Sequence, residues 1–327
     1  MSWESLIAQY VEHLRTLNRA ASTVTMAATW VPRFAAACAR WGVEEPVAVT
    51  AEHVARYRQE LMWQAGPDGA LYSQSTVDIA LRRVRGFFRW MREHQALLVD
   101  PMEHLVLGRV PRLIRRVPTV DEALRLLATP AEDTPEGLRD RAVLEVLYSA
   151  GLRRAECHGL DLADLDLEAR TLRVRGKGGA ERLAPVGESL AAALDLYLRE
   201  GRPKLVGGRK RPWHRSHPYC PRATANEPAL FLSQMGTRFS LQGVYLVVKH
   251  AARRAGVPDT STHCLRHAFG THLLEGGAAL PEVGALLGHK CRQATEVYTH
   301  VSFEELARVH RETHPRARRL SPPAAGA

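Results

Sequence analysis

The chain has 327 residues, 45% of them hydrophobic and 24% charged, with a formal net charge of +10 and a pI of about 9.7. That length suits two ordinary domains with real cores. No apolar run reaches eighteen residues, and Met1-Ser2-Trp3-Glu4-Ser5 lacks a basic region followed by an apolar stretch, so neither a membrane span nor a secretory leader is expected. The five cysteines are odd in number and scattered, which fits reduced thiols in a cytoplasmic protein, and the basic balance points to a polyanionic partner.

In chain order, residues 3–17 place apolar groups at Trp3, Leu6, Ile7, Tyr10, Val11 and Leu14, the three–four spacing of an amphipathic helix. A second helix is expected over about 22–41, capped by Ser22 or Thr23, stopped at Gly42 and kinked or split by Pro32. A third begins near Thr50 and buries Val54, Tyr57 and Leu61. A fourth follows Ser73, its stripe formed by Val77, Ala80, Leu81, Val84, Phe87, Phe88 and Met91. The same helix carries Arg82, Arg83, Arg85, Arg89 and Arg92, which reads either as a solvated basic face or as a contact for a phosphate backbone. Residues 106–118 hold four arginines, among them Arg112, Arg115 and Arg116, with two prolines and no acid. This suits an extended basic linker.

Thr119-Val120-Asp121-Glu122 is a capping box that opens the next domain. A helix starting near Pro135 runs almost wholly apolar from Ala142 to Ala150, interrupted by Glu145, as a buried central helix would. It ends in Gly151-Leu152-Arg153-Arg154-Ala155-Glu156. Residues 171–186 alternate as two short strands around Gly176-Lys177-Gly178-Gly179, a hairpin turn. From Gly201 to Arg222 the chain holds seven basic residues, including Arg209, Lys210 and Arg211, and no acid. The stretch of about 201–226 is expected to contain a basic inserted loop. His214, His217 and Cys220 have metal-like spacing but lack an evident fourth ligand, so no metal is expected. A strand at Ala229–Leu232 and a helix near Leu241–Ala255 follow. Leu280–Leu287 is a short helix with Pro281 in its first turn, ending at Gly288. Ser302-Phe303-Glu304-Glu305 caps a last helix to about Thr313, before a basic, then Pro/Ala-rich tail.

The run from Ser261 to His300 carries the chemistry. His263, Arg266, His289 and Tyr298 stand in it together. Arginine forks hold phosphate oxygens and keep their charge at any working pH. Histidines hold or move protons near neutrality, and a tyrosine hydroxyl can serve as a covalent nucleophile. These residue types suit attack on a phosphodiester. The run resembles the tyrosine recombinases, or phage integrase family, through His263-Cys264-Leu265-Arg266, Leu287-Gly288-His289 and Tyr298-Thr299-His300, with His289 nine positions before Tyr298. The 286–300 region and His314-Pro315-Arg316-Ala317-Arg318 look similar to the bacterial Xer type.

That resemblance implies a mainly α fold with a small antiparallel sheet, in two domains. A helical core-binding domain would occupy 1–104, a linker 105–118, a catalytic domain 119–314 and a tail 315–327. It implies that Tyr298 becomes a 3′-phosphotyrosine while Arg153 and Arg266 hold the non-bridging oxygens. His263 is then the candidate base, His289 adds a hydrogen bond, Lys177 protonates the leaving oxygen, and Glu156 orients Arg153, with Arg154 as the adjacent alternative. Five positive or protonatable groups can replace metal ions, so no cofactor is implied. The implied partner is a double-stranded DNA recombination site, worked on by a homotetramer or heterotetramer. A monomer in free solution is compatible with this, and a partner recombinase or directionality factor can be required. Relaxation of the type IB topoisomerase kind and DNA binding without catalysis are the rival outcomes of the same residues. The basic 201–226 stretch favours a mobile element or replicon over the alternative of housekeeping dimer resolution. Phe303 and Leu306 are expected to pack either on a neighbouring protomer or within their own chain.

Overall fold

A computed structural model describes residues 2–66, 69–106, 116–176, 180–206, 227–288 and 302–317. The chain divides into two units, Met1–Leu113 and Ile114–Ala327.

The first unit is a helical cluster of α1 (Trp3–Thr16), α2 (Ala21–Arg40), α3 (Ala51–Trp63) and α4 (Gln74–Glu93), with a 3-10 turn at Pro46–Ala48. The Ser2 and Ser73 hydroxyls cap α1 and α4 by accepting the N–H of Ser5 and Thr76. The apolar stripes meet in a core of Phe34, Leu61, Leu81, Phe87, Phe88 and Met91, with Trp3 stacked on Phe87 at 5.9 Å. Two details differ from the sequence reading. The N-cap of α2 is Ala20, without a side-chain hydrogen bond, rather than Ser22 or Thr23. Pro32 does not split α2, which runs on as one helix of 20 residues. The reason is placement. Pro32 and Ala28, whose carbonyl loses its helical partner, both lie on the exposed side, while Trp30, Val31 and Phe34 anchor the same turn in the core.

The second unit is built on α6 (Pro135–Ser149), which has apolar neighbours all round. Around it stand α5 (Val120–Leu127), α7 (Arg154–His158), α8 (Glu188–Leu196), a π turn (Tyr197–Gly201) running into the short α9 (Arg202–Leu205), α10 (Leu241–Arg254), α11 (Thr262–Glu275), α12 (Leu280–Leu287) and α13 (Phe303–Thr313). A three-stranded antiparallel sheet lies in the order β1 (Leu165–Asp166), β2 (Thr171–Arg175), β3 (Glu181–Pro185). Its register sets Val174 opposite Arg182, and Leu172, Val174 and Ala184 point into the core. Glu145, which interrupts the apolar run of α6, is fully buried and takes Ser149 Oγ at 2.6 Å together with the guanidinium of Arg316. A second cluster of Phe269, Leu273, Val283, Leu286, Leu287 and Val309 binds α11, α12 and α13, with Leu306 packed against it within the same chain. Cys38, Cys157 and Cys264 are free thiols. No helix among the described residues is long and apolar enough to cross a membrane.

One expectation is corrected in this unit. Ala229–Leu232 is not a strand: only isolated bridges form, Ala229 with Asp161 and Leu232 with Arg238. The segment bends between two neighbours, pairing Leu230 N–H with the Leu160 carbonyl and giving the Phe231 carbonyl to Phe239 N–H, so apolar composition imitated a strand. The first residues of the basic stretch, 201–205, are helical. They continue the helical run after α8, Gly201 and Leu205 are buried, and Arg202 donates to the carbonyls of Glu227 and Ala229. The remainder of the basic stretch, 207–226, lies outside the described residues.

Candidate active site

The site begins where α6 stops. Gly151 turns the chain with φ of 61°, a left-handed conformation, and a Cβ there would meet the Phe269 ring at 2.5 Å. Glycine is therefore required on two counts. Leu152 is buried next, and Arg153 is the N-cap of α7. Three residues on, the Glu156 carboxylate folds back to accept the Arg153 backbone N–H at 2.9 Å and its guanidinium at 2.7 Å. The carboxylate contact thus belongs to Arg153 and not to Arg154.

Arg266 arrives from the first turns of α11, which Ser261 caps by accepting Cys264 N–H at 3.3 Å. Its guanidinium is nearly buried. It donates to the Gly151 carbonyl at 2.6 Å and to the Leu287 carbonyl, and stands 3.6 Å from Glu156 Oε2. Burial, with Arg153 close by, pulls Arg266 down to about 10, so it stays a cation at neutral pH. A third arginine, Arg182 on β3, was not singled out from the sequence. It donates from Nη2 to Glu156 Oε2 at 3.0 Å and from Nε to the Leu286 carbonyl at 3.2 Å. An arginine on an alternating strand reads as solvent-facing, and its partners lie 26 and 104 positions away, so no local spacing announces it.

Glu156 is thus one buried carboxylate serving three guanidiniums. Burial pushes its carboxyl up, but hydrogen bonds from Arg182 and the Arg153 backbone outweigh this and hold it below the usual range. One negative charge against three positive ones leaves the cluster strongly anion-seeking. Arg153 supplies its open edge, with a side chain 47% exposed.

The carbonyls of Leu286 and Leu287 belong to the last turn of α12, where no helical N–H is available to them. Arg182 and Arg266 fill those vacancies, as suits the negative end of a helix. Gly288 then leaves the helix with φ of 65°. A Cβ there would meet Arg182 Cδ at 2.9 Å. The chain therefore departs toward His289 from a point fixed by two site arginines.

His263 is exposed on the first turn of α11, three positions before Arg266. Its Nε2 lies 3.1 Å from Nε2 of His267, so one ring donates and the other accepts. His272 is structural: it is buried between the Tyr148 hydroxyl at 2.8 Å and the Pro118 carbonyl at 3.1 Å. Lys177, His289, Tyr298 and His300 lie outside the described residues. The cluster that the structure brings together is therefore Arg153, Glu156 and Arg266 with Arg182, and His263 on the same helix as Arg266.

The basic candidates separate when placed. Arg82 and Arg89 are exposed on α4, whereas Arg83 is half-buried. Arg85 is half-buried and donates to the Leu105 carbonyl, so it braces its own unit. Arg116 pairs with Glu122 at 2.7 Å. Arg112, Arg115, Arg209, Lys210 and Arg211, and the trio His214, His217 and Cys220, lie outside the described residues.

Residues 116–305 match the model of the phage integrase family. Among curated proteins, the chain is 37% identical over 309 residues to tyrosine recombinase XerC 2 of Ralstonia nicotianae, covering 94% of this chain and 84% of that one. It is 38% identical over 321 residues to tyrosine recombinase XerD of Mycobacterium tuberculosis, covering 94% and 97%. Among solved structures, the Tn1549 transposon integrase in complex with circular intermediate DNA shares the fold, with a TM-score of 0.64 at 18% identity over 93% of this chain and 97% of that one. The order of motifs, the arginine cluster that they build and these relatives lead to one conclusion: the chain belongs to the phage integrase family of tyrosine recombinases.

Proposed function

We propose that this recombinase cuts and rejoins duplex DNA with Tyr298 as nucleophile and the Arg153–Arg266 pair as the phosphate clamp. The Tyr298 hydroxyl oxygen attacks the scissile phosphorus, and the bond to the 5′ oxygen breaks. The products are a 3′-phosphotyrosine and a free 5′-hydroxyl. His263 takes the tyrosine proton, and Lys177 gives one to the leaving oxygen. Arg153 and Arg266 stabilise the charge that grows on the non-bridging oxygens, with a hydrogen bond from His289. The phosphotyrosine conserves the energy of the broken ester, so a 5′-hydroxyl from a second strand can displace Tyr298 without ATP.

The observation that carries this reading is the Glu156 cluster, which offers an excess of fixed positive charge beside the turn that leads to His289. The substrate is a double-stranded recombination site, handled in the cytoplasm by a tetramer that bridges two duplexes. Integration, excision or resolution of a mobile element or replicon is the biological role we assign. Its support is the acid-free basic stretch between Gly201 and Arg222, which offers contacts to DNA or to a neighbouring subunit.

A covalent trap tests the proposal. The protein is incubated with fragmented DNA of its source organism, denatured, and assayed for protein-linked DNA beside Tyr298→Phe. Adducts from the wild type alone are expected, and equal adduct formation by the variant would refute Tyr298 as nucleophile.

A further inference from the structure

We propose that Arg182 is a positioning residue, which holds Glu156 and the end of α12 together so that Arg266 keeps its charge for the phosphate. The inference rests on the phosphate-clamp reading of Arg153 and Arg266. Arg182 and Glu156 are both largely out of solvent, with side chains 14% and 4% exposed. Their contact at 3.0 Å is charge-assisted, while Arg266 lies farther from the same oxygen, at 3.6 Å. A carboxylate so buried must be neutralised by someone. With Arg182 in place, Glu156 Oε2 is already met by Arg182 and by the Arg153 backbone N–H. Without Arg182, the cations left on this carboxylate are Arg153, bound at Oε1, and Arg266, 3.6 Å from Oε2, and closing that second gap draws the Arg266 fork away from the Gly151 and Leu287 carbonyls.

The residue type matters. Arg182 bridges a carboxylate and a carbonyl with two different N–H groups of one planar fork. A lysine offers one ammonium on a flexible stem and cannot hold both in fixed geometry. The second contact also has a consequence. Leu286 and Leu287 form the final turn of α12, and Arg182 Cδ packs where any side chain at Gly288 would stand. Arg182 sits on β3, five positions after Lys177 in the sequence, and β3 pairs with β2 along its whole length. One guanidinium thus ties the hairpin strand that follows Lys177, the carboxylate that orders the arginines, and the exit toward His289 and Tyr298.

The test uses the full chain with Arg182→Gln, Arg182→Lys, Glu156→Gln and the Arg182→Gln/Glu156→Gln double variant. A nicked duplex of the sequence recovered by the wild-type covalent trap is the DNA probe. Single-turnover adduct formation is expected to slow about 10–100-fold in Arg182→Gln, the scale of a small misplacement at a reacting centre. DNA affinity should stay within about threefold, the thermal midpoint should fall because a buried ion pair is broken from one side while the chain stays folded at the assay temperature, and Arg182→Lys should recover only part of the rate. Because Arg182 acts through Glu156, the double variant should be no slower than the slower single variant. Wild-type rate in Arg182→Gln, multiplied losses in the double variant, or a rate loss matched by equal loss of DNA affinity would each overturn the inference. If Arg182→Gln does not fold, the same comparison is read from Arg182→Lys. A DNA-free arm separates this idea from the recombinase chemistry: inorganic phosphate is titrated while arginine Nε–H resonances are followed by NMR. Binding at Arg153 and Arg266 should weaken about tenfold in Arg182→Gln, and unchanged binding would overturn the positioning role even if no DNA is ever cleaved.

Discussion

At the scale of single residues, Glu156 decides the architecture of the site. It is buried, among the described residues it carries the only negative charge paired with Arg153, Arg182 and Arg266, and it also closes the start of α7. Removing it does more than delete contacts, because it leaves like charges facing one another in a poorly hydrated place. Glu156→Ala should therefore cost about 3 kcal/mol of stability, the usual scale for breaking a buried ion pair from one side. Urea denaturation measures it, and a loss below about 1 kcal/mol would mean that the arginines find solvent or other partners. Arg153, Arg266 and Glu156 could be singled out in the sequence through the resemblance of short, ordered motifs to the family's, in which a glutamate follows the first arginine by three residues. Arg182 was not legible, since its partners are set by how β3 packs on α7 and α12.

At the scale of elements, α4 and α13 carry the sharpest expectations. The arginines of α4 look equivalent in sequence, yet Arg82 and Arg89 are exposed while Arg85 is spent on the Leu105 carbonyl. Arg82→Ala and Arg89→Ala should each weaken DNA binding and lower the slope of log affinity against log salt by about one, whereas Arg85→Ala should lower stability and leave that slope unchanged. Binding measured across a salt series separates the two cases. Helix α13 is anchored by histidine rings. His310 is buried, with Nε2 at 2.8 Å from the Ser149 carbonyl, and it stacks on His314 at 5.1 Å. Tyr148 and Phe269 pack their rings against this pair, and Arg311, His272 and Arg316 act on it electrostatically. Burial is the main reason that His310 falls to about 4 and His314 well below its usual value. The unfolded chain protonates these rings near pH 6.5, before the folded one can. Stability should therefore be level above that pH and fall from about 6.5 towards 4, where protonation favours unfolding. His310→Phe should flatten that fall, read as denaturation midpoints across pH, and an unchanged slope would place the acid sensitivity elsewhere. The element boundaries of α2 and of 229–232 were misread for a common reason. Local composition could not report that Ala20 needs no side-chain cap or that Leu230 pairs with Leu160.

At the scale of the whole molecule, the sequence suffices for the broad design because two kinds of signal coincide. Three–four periodicity and serine or threonine caps outline the helices, and motif order over Arg153 to Tyr298 points to the family. The first unit closes around aromatic rings from four helices, and the second around the apolar α6, so each has its own core. The basic residues of 106–118 join these two units in sequence, a composition suited to a chain that follows a phosphate backbone. The central claim is a covalent one, so the most direct test identifies the bond itself. Wild-type adducts would be digested with nuclease and protease, and the peptide that retains a nucleotide would be sequenced by mass spectrometry. The account predicts a nucleotide 3′-phosphate on Tyr298, with none in Tyr298→Phe; a remnant on any other side chain would contradict it.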